Sequence, residues 1–141
     1  MSDQIIKDHG ECLCGEIKIS IEGTPLRMGQ CHCRDCQKSS GGGHASLVFM
    51  LEKDTKIKGD AAGYDVITDS GNTSTRSFCA TCGSRVFGRN TLRPGVIAIA
   101  VGILEDRSWY KPQAVVYCKN RNEWDTTNKA IPNFDEMPPP A

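Results

Sequence analysis

Three cysteines fall within six residues in Cys31-His32-Cys33-Arg34-Asp35-Cys36. That CxCxxC spacing lets three thiolates reach one ion, and three protein ligands with one position left open is the usual form of a catalytic zinc site. Two further pairs stand apart. Cys12-Leu13-Cys14-Gly15 is a CxC followed by glycine, and Cys79-Ala80-Thr81-Cys82-Gly83 is a CxxC followed by glycine. In an extended segment residues i and i+2 point the same way, so Cys12 and Cys14 can grip one ion. In the CxxC turn, a glycine with positive φ can lead the chain away while backbone N–H groups support the sulfurs. Neither pair fills a four-coordinate site alone, so the natural solution joins Cys12 and Cys14 to Cys79 and Cys82 in one structural zinc site.

The eighth cysteine, Cys118, stands alone in "AVVYCKN". Spacing leaves two readings open. Either Cys118 closes the three-cysteine site as a fourth ligand, giving two equal staples, or it is an ordinary small strand residue, leaving that site open. A redox role for the CxxC pairs would need a neighbouring βαβ pattern, and none is visible.

The remaining composition narrows the setting. A chain of 141 residues suits one domain, residues 1–141. Lys and Arg number 17, as do Asp and Glu, a balance that argues against a dedicated nucleic-acid binder and against a polybasic membrane-surface protein. The opening "MSDQIIKDHG" lacks the apolar stretch of a signal peptide, and no apolar run approaches a membrane span. The expectation is a soluble, cytoplasmic protein. In a reducing compartment its cysteines serve metal binding better than disulfides.

The elements that must position these thiols read mostly as strands. "GEIKISIEG" alternates, with Ile17, Ile19 and Ile21 on one face and Lys18, Ser20 and Glu22 on the other. "ASLVFML" is a short apolar run after Gly41 to Gly43, and "YDVITD" and "TSTRSFC" flank "SGN" as a hairpin. "SRVFGRN", "GVIAIAVGIL" and "AVVYCKN" follow as further strands, while "RDCQKSS" suits one helical turn. The tail "EMPPPA" reads as loosely held and extended. The pattern predicts a single mainly β domain of short sheets with a modest apolar core, a construction that gains from a metal staple.

Together these motifs resemble the glutathione-dependent formaldehyde-activating enzyme family, which includes the centromere protein V type of domain. The resemblance runs through "CLCGEIKISI", "CHCRDCQKSSGG", "RSFCATCGSRVF", "AVGILED", "KPQAVVYCKNRNEW" and "IPNFDEMP". It implies small curled antiparallel β-sheets pinned by zinc, the β-tent type. It also implies a structural zinc on Cys12, Cys14, Cys79 and Cys82, and a catalytic zinc on Cys31, Cys33 and Cys36 with Cys118 outside the ligand set. Many members have a histidine in the stretch matching "KPQAVVY", where this chain has Val115. The activity implied is that of a carbon–sulfur lyase joining glutathione and formaldehyde to S-hydroxymethylglutathione. A zinc ion with three thiolates carries about −1 net charge and favours a soft ligand such as a substrate thiol. The other reading is a non-catalytic, zinc-stapled binding module.

Other candidates surround these ligands. His32, between two of them, is expected to point away from the ion. His44 follows the glycine run and is expected to sit in a plain turn, and His9 is expected in solvent. Arg76, Arg85 and Arg89 flank the CxxC segment and could meet the carboxylates of an anionic substrate, though each alone suits a solvated strand face. Trp109 and Trp124 are expected in the core, and Glu105 and Asp106 in "GILED" form a turn rather than a catalytic pair.

Overall fold

The computed structural model describes residues 4–138. Among the described residues ten strands form two sheets. The smaller sheet is antiparallel, in the order β1 (Ile6–Glu11), β2 (Lys18–Gly23), β5 (Thr55–Lys58). The larger has seven strands. Its order runs from β10 (Ala114–Val116) through β3 (Arg27–Cys31), β4 (Ala45–Leu51), β9 (Val96–Ala100), β8 (Arg85–Asn90) and β7 (Thr73–Phe78) to β6 (Ala62–Ile67). One helix, α1 (Arg34–Ser40), follows β3.

The alternation of "ISI" has the predicted consequence. Ile17, Ile19 and Ile21 are buried against Val48, Met50, Val86, Ile97 and Ile99 of the larger sheet, in one apolar cluster that also takes in Cys12 and Cys79. Truncating any one of these isoleucines to alanine would cost roughly 2–5 kcal/mol. Strand β4 is apolar along its whole length because both its faces are covered. Val48 and Met50 face the smaller sheet, while Ala45 and Leu47 join Cys36 in a second cluster, with Cys31, Cys33, Phe49 and Ala98 packed against it.

Several expectations need correction. The sheets are neither all small nor wholly antiparallel, for β10 runs parallel to β3, with Val115 opposite Gln30. The run "GVIAIAVGIL" is strand only to Ala100, after which Val101–Ile103 form a 3-10 turn. Likewise "AVVYCKN" stops being strand at Val116. Tyr117 takes the left-handed conformation (φ 57°), and Cys118–Asn120 form another 3-10 turn. The helix is longer than one turn, ending where Gly41 adopts φ 76°. Strands β1, β3 and β5 had no legible pattern, because β1 buries Asp8 and Gly10 beside Ile6, β3 is half-buried throughout, and β5 has only four residues. Part of "EMPPPA" lies outside the described residues. The rest is tied down, with the Tyr117 N–H donating to the Glu136 carbonyl at 3.3 Å and the Glu136 carboxylate pairing with Lys119.

Glu105 and Asp106 do form a turn, and Asp8 explains it. The buried Asp8 carboxylate accepts the N–H of His9, Asp106 and Arg107 and the indole N–H of Trp109, at 2.8–3.1 Å. Those bonds fasten the segment after β9 to β1, where Gly10 bridges Leu104. A side chain at Gly10 would collide there, its Cβ falling 2.0 Å from the Ile103 carbonyl oxygen. Trp109 thus packs on the core as expected, but Trp124 is exposed.

Burial pushes the Asp8 carboxyl up, but its four hydrogen bonds outweigh that and hold it below its ordinary value of 3.8. Because the folded value is the lower one, the stabilisation is fully present above the unfolded value and is lost as pH falls through the folded one. Asp8→Asn should therefore lower stability by about 1–3 kcal/mol at neutral pH. Urea titrations at several pH values should show this difference shrinking below about pH 4, as the wild-type carboxyl is protonated.

Candidate functional site

Four cysteines meet at one end of the core. The sulfurs of Cys12, Cys14, Cys79 and Cys82 all lie within 4.8 Å of one another. Cys14 Sγ is 3.7 Å from Cys12 Sγ and 3.6 Å from Cys79 Sγ. Such separations are far above a disulfide bond of about 2.05 Å. They match the edge, about 3.8 Å, of a tetrahedron built on Zn–S bonds of ~2.3 Å. The four are free cysteines whose donor set fits a metal ion.

The local chain explains the convergence. After Cys79 the backbone turns through Gly83 at φ 79°, as the CxxC-glycine motif predicts, and Gly83 N–H closes the turn on the Cys79 carbonyl at 2.8 Å. The CxC half differs from expectation, since it is a turn rather than an extended strand end. Gly15 has φ 83° and its N–H donates to the Cys12 carbonyl at 3.0 Å. The Ile17 N–H donates to Cys12 Sγ at 3.2 Å, so a backbone N–H supports this sulfur. That bond and the neighbouring sulfurs Cys14 and Cys79 outweigh burial and hold Cys12 below its usual thiol range.

The second cluster lies on the other face of the larger sheet. Cys31 ends β3, Cys33 caps α1 by accepting the Cys36 N–H at 3.3 Å, and Cys36 sits in the first turn of the helix. Their three sulfurs lie within 4.8 Å of one another, again a set that could hold a metal ion. Cys31 and Cys33 hold Cys36 far below the usual thiol range, with Arg85 and Arg76 adding their positive charge, whereas Cys33, Cys36 and burial push Cys31 up.

Cys118 does not join them. Its Sγ faces the Val115 carbonyl and Asn133 Oδ1, each at 3.8 Å, because Tyr117 in its left-handed conformation turns the chain out of the strand. Val115 is fully buried.

A cleft of about 320 Å³ opens beside the three sulfurs, lined by Cys31, Cys33 and Cys36 together with Phe49 and five arginines, Arg27, Arg76, Arg85, Arg89 and Arg93. Arg89 pairs with Glu52, while the other four have no carboxylate partner among the described residues. Arg76 Nη2 lies 3.9 Å from Cys36 Sγ. The Nε atoms of both Arg76 and Arg85 are buried with no hydrogen-bond partner. Arg27 and Arg93 lie over the Phe49 ring, 4.4 and 5.8 Å from its centroid. Arg76 and Arg85 thus stand beside the thiols, where sequence alone favoured a solvated strand face for each. Arg27 and Arg93 carried no signal, since a cross-strand cleft brings them in.

The histidines divide. His9 is exposed as expected. His32 is buried, and His44, which follows the glycine turn just before β4 as expected, lies beside it with ring centroids 4.8 Å apart. Both face Asp125, a residue that nothing in the sequence singled out.

What fold and site define is a mainly β protein with two cysteine clusters able to hold metal ions, one of them opening on a cationic cleft. The sequence matches the glutathione-dependent formaldehyde-activating enzyme family over residues 7–120, and the chain belongs to that family. A crystal structure of a Rhodobacter sphaeroides protein is similar in fold, with a TM-score of 0.56 at 24% identity over 70% of this chain and 88% of that one. Among curated proteins none matches the chain. Among the described residues no helix is long and apolar enough to cross a membrane.

The two clusters hold different things together, so their loss should differ. Cys79 lies in the main core between the sheets, and Cys79→Ser should cost more than ~3 kcal/mol and lower the thermal midpoint sharply. Cys33→Ser, beside the cleft, should lower it by clearly less. Thermal unfolding of the two variants side by side makes the comparison, and equal collapse would mean that both clusters are purely structural.

Proposed function

We propose that this protein is a zinc-dependent carbon–sulfur lyase acting on a small anionic thiol and its aldehyde adduct, with glutathione and formaldehyde as the default pair. In this reading residues 1–141 form a single cytoplasmic domain of the β-tent type. Cys12, Cys14, Cys79 and Cys82 hold a structural zinc, and Cys31, Cys33 and Cys36 hold the catalytic one. The observation that carries the proposal is the cleft, for it joins three sulfurs with no fourth cysteine to arginines lacking carboxylate partners. A pure staple needs neither feature, so the binding-module reading has less support.

Cys31, Cys33 and Cys36 would hold the zinc ion, which would supply Lewis acidity that favours the thiolate of a bound thiol at neutral pH. The chain's own residues do the rest. Arg27 and Arg93, stacked on Phe49, suit the carboxylates of an anionic thiol. Arg76 and Arg85 offer N–H groups beside the sulfurs, where negative charge passes from sulfur to oxygen. In the synthetic direction the thiol loses its proton, a carbon–sulfur bond forms, and the carbonyl oxygen becomes an alkoxide. That alkoxide takes up one proton, so atoms balance with no change of oxidation state. The reverse direction breaks the same bond.

Protein purified without chelator should contain about two zinc ions in the cysteine clusters. Glutathione and formaldehyde combine unaided, so the decisive measurement is the excess rate over that of metal-depleted protein and of Cys33→Ser. The proposal expects a clear excess for the wild type, its abolition in Cys33→Ser, and a fall of roughly tenfold or more in kcat/KM for Arg85→Gln, as loss of one buried charge-assisted contact implies. A wild-type rate equal to that of Cys33→Ser across several anionic thiols would overturn it.

A further inference from the structure

The backbone of Cys31-His32-Cys33 has two sides. The cysteines turn toward the cleft, and His32 points away from them into a separate cluster with His44 and Asp125. Their ligand-type atoms all lie within 4.8 Å of one another. Asp125 Oδ2 is 2.7 Å from His44 Nδ1 and 3.4 Å from His32 Nδ1. The three residues come from separate segments of the chain, and each is held in place. His32 N–H donates to the Val116 carbonyl at 3.0 Å. Asp125 ends a loop in which the Arg121 guanidinium donates to the Asn122 and Asp125 carbonyls, and the Gln37 amide reaches the Asn120 carbonyl at 2.9 Å. Gly43 admits the carboxylate, since a Cβ there would fall 2.1 Å from Asp125 Oδ2.

One atom in this arrangement is unaccounted for. His32 is 1% exposed, and its Nδ1 is buried without a hydrogen-bond partner although a carboxylate oxygen lies 3.4 Å away. That leaves a buried imidazole nitrogen, able to offer a lone pair, beside a carboxylate oxygen with no hydrogen bond between them. Two such ligand atoms, brought together from separate segments, suit a cation between them. His44 can supply a second lone pair. Its Nε2 lies 3.4 Å from the Gln30 side-chain amide, which can accept from that nitrogen after a flip and so free Nδ1. His44 and Asp125 keep side-chain exposures of 27% and 16%, which leaves an ion a route in.

We propose that His32, His44 and Asp125 form a third metal site, distinct from the cysteine clusters, that takes a divalent first-row transition ion such as Zn²⁺. Two imidazole nitrogens and one carboxylate oxygen suit that class of ion, with water completing the coordination. The bound ion ties the stretch after β3 to the loop holding Asp125, behind the three-cysteine cluster. The proposal does not depend on the thiol chemistry, because it is read as a difference between proteins sharing the same cysteines.

The test is equilibrium dialysis of the full chain against micromolar Zn²⁺, followed by elemental analysis. The wild type should retain about one ion more than Asp125→Asn or His44→Ala, since loss of a direct ligand weakens binding by more than ~100-fold. In ¹⁵N spectra of the wild type, the Nδ1 resonances of His32 and His44 should shift on adding Zn²⁺, while those of exposed His9 should not. The spectra need no variant and stand even if one fails to fold. Equal zinc in all three proteins, or His32 and His44 resonances that ignore Zn²⁺, would overturn the third site and leave a proton-linked His–Asp network.

Discussion

The larger sheet has to bury apolar side chains on both faces, and most of what this protein offers follows from that. Strand β4 supplies Val48 and Met50 to the core beneath the smaller sheet and Ala45 and Leu47 to the opposite side. One face holds the two sheets together, with Cys12 and Cys79 at the end of that core. The other face is only partly covered, by α1 and by the strand ends carrying Cys31 and Cys33. The uncovered remainder is the cleft.

A half-covered apolar face lowers the local dielectric, so charges placed there act strongly on one another. Arg76 and Arg85 reach into it and add their charge to the neighbouring sulfurs Cys31 and Cys33, which hold Cys36 low. Stacking on Phe49 keeps Arg27 and Arg93 at the same cleft without a carboxylate partner that would cancel their charge. Arg89, which does have such a partner in Glu52, is correspondingly the least available of the five.

The stretch from Cys31 to Cys36 does two jobs because extended backbone alternates. Cys31 and Cys33 face the cleft, and helix α1 brings Cys36 back to them, while His32 goes to the far side and meets His44 and Asp125. Gln37, on the helix, donates to the carbonyls of both His32 and Asn120 and so couples the two sides of that stretch to the loop before Asp125.

By itself the sequence determined whatever depends on near neighbours. The alternation of Ile17, Ile19 and Ile21, the hairpin around "SGN", the positive φ of Gly83 and the grouping of the cysteines all follow from local sterics and short spacing, and these sufficed for the family and the mainly β class. Local pattern failed where a strand is covered unevenly, as in β1 with its buried Asp8, or where one residue changes course, as Tyr117 does in removing Cys118 from the strand. Only the tertiary structure decided which arginines line the cleft, that Trp124 is exposed, and that Asp125 stands beside His32 and His44. Asp125 and His44 are 81 residues apart. Contacts of that kind are fixed by how sheets and loops pack, and no period or spacing in the chain encodes them.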